Sequence, residues 1–414
     1  MSVDEAVTKA LTHSPAVAQA KRQLEAARRG KKEALTYMLP SFSASYGWER
    51  IQDPKSFSTP FGEITTQAEE TYTAKVSVYQ PLFTGFKLLS TYQAASAAAE
   101  AARWQLQSVK LTVARQTRVA CYQLMAARKA LEVAEQAVEL LEAHLRTARQ
   151  FHANGILPLN DVLKVEVELA SARQKRLKAA NTVVLMRNRL NTLMGRALDA
   201  PVALDEGLGQ EPVEITYAQA MATAKANRPE LKAIDAQIAR AKRLVARARS
   251  GYYPSLGLSA AYEVMSDSAD LGDSNVYDHT NWSVGAEISW NFWEWGRTAH
   301  KVGQARAELM RLKAMKRQIL EEIQLEVKQA IVELTQAWHN ISTAATAVRQ
   351  AKENYRITRE RYRQQLTTNT ELLDARTLLT QARNDYFSAL AGYNIAIAKL
   401  RWAMGQGLPE QPRR

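Results

Sequence analysis

Cysteine is almost missing from this chain. Cys121 stands alone among 414 residues, which excludes an intrachain disulfide and a cysteine-built metal site. It falls mid-helix and reads as a small packed residue. No run of about 18 apolar residues occurs, so no transmembrane helix is expected. The six histidines (His13, His144, His152, His279, His300 and His339) are scattered and show no i, i+4 ligand spacing. Gly405-Gln406-Gly407 follows a helix rather than a strand, so it is not a phosphate cradle. The ten methionines form no cluster that would mark a soft-metal path. With these groups absent, neither an enzyme nor a bound cofactor nor a metal is expected. A secretion leader is also missing, since Met1 leads at once into a polar amphipathic helix. Two explanations stay open: a cytosolic chain, or one whose leader has been removed.

Glycine and proline are missing from two long stretches, Lys87 to Asn154 and Gln304 to Ala391. Within the first, Leu124, Ala127, Leu131, Ala134, Val138, Leu141 and Leu145 alternate spacings of three and four. In the second, Ile331, Leu334, Trp338, Ile341, Ala345 and Val348 do the same. A narrow apolar seam of this kind belongs to helices packed as in a coiled coil. A helix of about 65 residues extends roughly 100 Å at about 1.5 Å per residue. Gly155 with Pro158, and the polar run Thr367-Thr368-Asn369-Thr370, mark a turn after each long helix. Shorter returning helices follow at about 160–196 and 370–404. A further helix precedes each strand region, at about 16–38 and 229–252.

These matching parts make one unit written twice. Pro254 follows Pro40 by 214 residues, and both open an alternating segment after a basic helix. Trp293 follows Phe83, Glu371 follows Asp161, and Met404-Gly405 follows Met194-Gly195, each at an offset of 210. The division expected is repeat 1 over 1–200, a linker over 201–216, repeat 2 over 217–405 and a short tail over 406–414. Each repeat carries two strands, at about 41–49 and 71–79 in the first and about 255–262 and 282–290 in the second.

All four segments alternate with a period of two. Phe42, Ala44, Tyr46 and Trp48 oppose Ser41, Ser43, Ser45 and Gly47, while Tyr72, Ala74, Val76 and Val78 oppose Thr73, Lys75 and Ser77. In the second repeat the apolar sets are Leu256, Leu258, Ala260 and Tyr262, then Trp282, Val284, Ala286, Ile288 and Trp290. Eight to ten residues suffice to cross a bilayer when tilted, and the aromatics toward segment ends lie where a girdle would. The loops between strands read as long and polar. Four strands cannot close a membrane barrel, and an open edge is not tolerated in hydrocarbon, so lipid-facing strands require several copies. A dimer would supply eight strands and a trimer twelve. The pattern by itself does not choose.

With these features the chain resembles the TolC-like outer-membrane efflux protein family over essentially its whole length. The resemblance rests on the duplicated unit, on the helix-to-strand passages at Pro40 and Pro254, and on two strand-to-helix passages. Those read Gln80-Pro81-Leu82-Phe83-Thr84-Gly85 and Asn291-Phe292-Trp293-Glu294-Trp295-Gly296-Arg297. Asn160-Asp161-Val162-Leu163 and Thr370-Glu371-Leu372-Leu373-Asp374-Ala375 resemble the family's periplasmic tip. The implied fold is mainly α with a small β part. Long coiled-coil-like helices would build a periplasmic α-barrel, and four strands per chain would enter a 12-stranded transmembrane β-barrel closed by a homotrimer. The implied function is a passive outer-membrane exit duct, fed by an inner-membrane pump through a periplasmic adaptor. The implied location is the outer membrane of a Gram-negative bacterium, reaching into the periplasm. Tyr362, Glu371, Asp374 and Asp161 match the residues that narrow the tip. Glu371 and Asp374 share one helix face, and threefold symmetry would gather them into a cation-attracting ring. Thr367 stands where some relatives carry an arginine, and Lys164 replaces the second acid in repeat 1.

The net charge of +13 suits nucleic acid, anionic lipid or an acidic partner. Its clusters, Lys21, Arg22, Arg28, Arg29, Lys31 and Lys32 with Arg240, Lys242, Arg243, Arg247 and Arg249, each lie on the helix that leads into a strand. A collar facing anionic headgroups of the outer membrane is therefore expected, not a nucleic-acid surface. Two alternatives remain: a duct for type I protein secretion, and a soluble, elongated coiled-coil scaffold with two hairpins.

Overall fold

The glycine-free stretches are helical almost throughout. In a computed structural model, which describes residues 1–409 except 206, 210, 275 and 278, fourteen α-helices and β-strands follow in order. They are α1 (Val3–His13), α2 (Pro15–Thr36), β1 (Ser41–Arg50), β2 (Ser56–Thr59), β3 (Gly62–Thr65), β4 (Glu70–Thr84), α3 (Lys87–Ala153) and α4 (Leu159–Leu193). Then come α5 (Tyr217–Asn227), α6 (Pro229–Arg249), β5 (Ser255–Ser266), β6 (Thr280–Ser289), α7 (Arg297–Arg363) and α8 (Asn369–Ala403). Both long helices have 67 residues and both returning helices 35. The expected linker includes positions 206 and 210, and the expected tail ends at 410–414; these lie outside the described residues. No helix among the described residues is long and apolar enough to cross a membrane.

Helix ends are set by local chemistry. Ser2 with Glu5, and Thr216 with Gln219, form capping boxes on α1 and α5. At the far end of α3, Gly155 takes φ +74° and donates to His152 O, while Ile156 N reaches back to Phe151 O. That is a Schellman stop. The α7 terminus makes the same two bonds, from Gln365 to Tyr362 and from Leu366 to Arg361, with Gln365 itself at φ +59°.

The chain folds into two compact units. One comprises Met1–Arg22, Trp104–Lys232 and the chain from Arg317 on; the other comprises Gln23–Arg103 and Ala233–Lys316. In the first unit, seam residues Val138, Leu141 and Leu145 of α3 bury against Val162, Val165 and Leu169 of α4 and Leu373 of α8. A second cluster joins Ala220 and Ala224 of α5, Ile323, Val327, Leu334 and Ile341 of α7, and Leu390, Tyr393 and Leu400 of α8. Each fully buried leucine or isoleucine contributes about 1.5–3 kcal/mol. Trp338 departs from its expected seam place: it is 38% exposed and leans on the Tyr393 ring at 5.3 Å. Close approach also fixes two glycines. A Cβ on Gly195 would stand 2.9 Å from His13 Cβ, and one on Gly405 would stand 2.7 Å from the Asn227 backbone.

The second unit carries an antiparallel sheet in the order β1-β4-β5-β6. The strand from the first half of the chain thus pairs in the middle with one from the second half, Val76 opposite Tyr262 and Val78 opposite Ala260. β4 is longer than the alternation indicates and runs on through Pro81 to Thr84. Proline is tolerated there for two reasons: the register shifts between Pro81 and Phe83, and the pairing with β1 has ended at Tyr79. A small hairpin, β2 with β3, stands where a plain polar loop is expected. Its strands are too short for four-residue alternation to announce them.

Candidate functional site

In the second unit, pairing register assigns every strand residue to one of two faces. One carries Phe42, Tyr46 and Trp48 of β1, Val76 and Val78 of β4, Leu258 and Tyr262 of β5, and Trp282, Val284 and Ile288 of β6. It is apolar yet open: Phe42 is 75%, Trp282 74% and Val284 70% exposed. The other face presents hydroxyls from Ser41, Ser43, Ser77, Ser255, Ser259 and Ser283, with Lys75 and Glu263 paired at 3.1 Å. A water-soluble hairpin would reverse the apolar exposure. A strand between lipid and an aqueous lumen would not. Aromatics bound the apolar band, with Tyr262 directly across from Trp282 at one end and Trp290 beside Phe292 (6.2 Å) at the other. Trp282 to Trp290 spans about 27 Å along the strand at about 3.4 Å per residue.

Pro40 and Pro254 each stand immediately before a strand, β1 and β5, where a missing N–H costs no ladder bond. The strand-to-helix passages contain a shared strain. Gly85 and Phe86 take φ of +59° and +66°, Trp295 and Gly296 take +52° and +78°. Each passage thus places a glycine and an aromatic residue left-handed in succession, in exchanged order. Gly85 is obligatory, because a Cβ there would stand 2.6 Å from Ser250 O. Phe86, held left-handed, sets its ring edge-on to Phe83 at 5.3 Å and to Tyr253 at 6.1 Å. Trp293 and Trp295 pack similarly at 5.5 Å. Arg297 opens α7, where the helix dipole disfavours a cation. Glu294 offsets this by accepting two bonds from its guanidinium and one from Thr298 Oγ1 at 3.1 Å, and Arg297 holds the Glu294 carboxyl below the usual carboxylate range.

In the first unit, the α3–α4 and α7–α8 turns come together. Buried Asn369 binds both sides: its Nδ2 donates to Asp161 O at 3.0 Å and its Oδ1 meets His144 Nε2 at 2.7 Å. Tyr362 is buried, its ring 5.1 Å from that of His144 and 6.0 Å from that of Phe151. Burial first, then the Asp161 charge, pushes the phenol of Tyr362 above its ordinary value, so it stays a proton donor. Of the expected acids, Glu371 and Asp374 are both exposed on one side of α8. Thr368 caps Glu371 N at 3.2 Å, and Thr367 Oγ1 donates to the Glu371 carboxylate. Asp161 is mostly covered and paired with Lys164 at 3.1 Å, so it carries less free charge than Glu371. His144, Asn369 and Arg376 have no place among the expected site residues. Arg376 carried a signal, since it interrupts the apolar row Leu372, Leu379; His144 stands beside the seam position Leu145 and carried none.

The sequence pattern of the family described as Outer membrane efflux protein matches residues 6–196 and 220–406. No curated protein matches the chain. Solved structures share its fold. The Campylobacter jejuni CmeC outer membrane channel is 17% identical with a TM-score of 0.84, over 99% of this chain and 87% of that one. The outer membrane protein VceC from Vibrio cholerae is 19% identical, TM-score 0.82, over 98% and 96%. The open state of the Neisseria gonorrhoeae MtrE outer membrane channel is 18% identical, TM-score 0.80, over 98% and 89%. Long helices for a helical barrel and strands for a β-barrel are common to all. By sequence pattern over most of its length, the chain belongs to the outer membrane efflux protein family and is an outer-membrane efflux duct.

Proposed function

We propose that this chain is one of three identical protomers of a channel that passively conducts small molecules across the outer membrane of a Gram-negative bacterium. An inner-membrane pump supplies the cargo and the energy, and a periplasmic adaptor joins the two. The observation that carries this reading is the sheet: apolar and open on one face, hydroxyl-lined on the other, with β1 and β6 each paired on one side only among the described residues. Unpaired edges in hydrocarbon cost several kcal/mol per group, so copies must pair edge to edge. Three copies give twelve strands. The two halves of the chain are copies of one unit, a reading supported by the paired Schellman stops and by the matching approach of Gly195 to His13 and Gly405 to Asn227. Tyr362, Glu371, Asp374 and Asp161 narrow the periplasmic end, the basic helices α2 and α6 face anionic headgroups, and the helix-turn and strand-turn residues hold the barrel ends.

Native mass of the detergent-extracted protein tests the proposal. Three chains per particle are expected. A monomer or dimer soluble without detergent would discard the membrane strands.

A further inference from the structure

Between α3, α7 and α8, beside the two helix turns, lies a cavity of about 150 Å³. His144, Tyr355, Arg359, Tyr362, Arg363 and Arg376 are among its lining residues, and no carboxylate is. This volume far exceeds the roughly 15 Å³ that one water needs. Three of the lining side chains carry a buried polar atom without a hydrogen-bond partner: Tyr362 Oη, Arg376 Nε and Arg359 Nε. Tyr362 and Arg376 are 5% and 7% exposed, so solvent does not reach these atoms freely. Buried donors left without an acceptor are destabilising, and more so when charged. Native structures leave few such groups unless water or an ion completes them.

The chemistry of the unsatisfied atoms selects the occupant. Guanidinium nitrogens only donate, and the phenol donates through its single hydrogen. Existing partners leave charge to spare. Arg376 donates to Ala137 O at 3.4 Å and meets Glu168 only at 4.0 Å, while Arg359 and Arg363 share the one carboxylate of Glu360 at 3.3 and 3.4 Å. Donor side chains with excess positive charge gathered around one cavity fit an acceptor that carries negative charge on several oxygens. We infer that this cavity is a binding site for a small oxyanion of the phosphate or sulfate class, held by Arg376 from α8 and by Arg359 and Tyr362 from α7. Bound there, the anion compensates a buried guanidinium and ties α7 to α8 next to the α7–α8 turn.

Isothermal titration of the purified full-length protein in detergent with inorganic phosphate and with sulfate, at ionic strength matched with chloride, tests the site. Saturable binding of one anion per chain is expected, with a higher melting temperature in sulfate than in chloride. Tyr362→Phe keeps the ring and removes one donor, so it weakens binding about tenfold. Arg376→Met abolishes binding, and Arg311→Met, which removes an exposed guanidinium paired with Glu308, leaves it unchanged. If Arg376→Met does not fold, Tyr362→Phe decides. Absence of saturable binding, or binding equal in the parent and Tyr362→Phe proteins, would overturn the inference and leave a water-filled cavity.

Discussion

Two polar side chains carry the most information at the residue scale. His144 lies beside the seam position Leu145, Arg376 lies between Leu372 and Leu379 of α8, and both meet the Tyr362–Asn369 cluster. Burial, first of all, holds the His144 imidazole below the ordinary histidine value; the bond to Asn369 opposes that, and the Arg376 charge adds to it. The linkage has a definite sign. A depressed folded pKa means that the neutral ring contributes its full stability above the unfolded value of about 6.5. That contribution is lost as pH falls from there through the folded value. Melting curves recorded between pH 7.5 and 5 should therefore show the parent protein losing more stability on acidification than His144→Gln, which keeps a donor for Asn369. Parallel curves would show that His144 does not titrate in that window.

At the scale of elements, the sheet is described by the register of its pairs more than by its composition. Val284 and Ser283 are neighbours in β6, yet Val284 stands opposite Ala260 on the apolar face and Ser283 opposite Ala261 on the hydroxyl face. An arginine in the bilayer midplane costs about 2–4 kcal/mol in a barrel strand, whereas lumen positions accept charge. Val284→Arg, two residues in from the Trp282 end of the band, should accordingly lower the unfolding free energy of the vesicle-embedded protein by about 1–3 kcal/mol, between the interface and midplane costs. Ser283→Arg should change it by less than about 1 kcal/mol, the lumen side being wet. Urea titration in vesicles measures both, and equal losses would contradict the face assignment. The helices follow the same logic at their stops: α3 ends on Gly155 and α7 on Gln365, both left-handed, because the Schellman bonds require that backbone whatever the side chain.

At the scale of the whole molecule, the placement of the acids on α8 bears on ion preference. Glu371 and Asp374 are exposed on α8, while Lys164 pairs with Asp161 near the α3–α4 turn. Of the expected acids, Glu371 and Asp374 therefore supply most of the free negative charge, and in a threefold assembly they would recur three times around the axis. Replacing them together, Glu371→Gln with Asp374→Asn, should reduce cation preference in planar bilayers. The reversal potential under a salt gradient should move toward zero. An unchanged reversal potential would count against these residues lining the pore.

Much of this protein was legible in its sequence, for a physical reason. Helix length, strand alternation and turn chemistry depend on neighbours a few residues away, and Gly155, Pro158, Pro40 and Pro254 declare them locally. The long seams predicted helices that the structure extends from Lys87 to Ala153 and from Arg297 to Arg363. The acids Glu371 and Asp374, three residues apart, stand on one helix face as the spacing requires. What the tertiary structure alone decided depends on residues far apart in the chain. The pairing of β4 with β5 sets Val76 against Tyr262, and no local pattern specifies that partner. The β2–β3 hairpin is too short for its period to stand out. Asn369 joins Asp161 to His144 across more than two hundred residues, and the cavity at Tyr362, Arg359 and Arg376 exists only where α3, α7 and α8 meet. Periodicity tells which face of an element is apolar; only packing decides what that face, and each polar residue interrupting it, will touch.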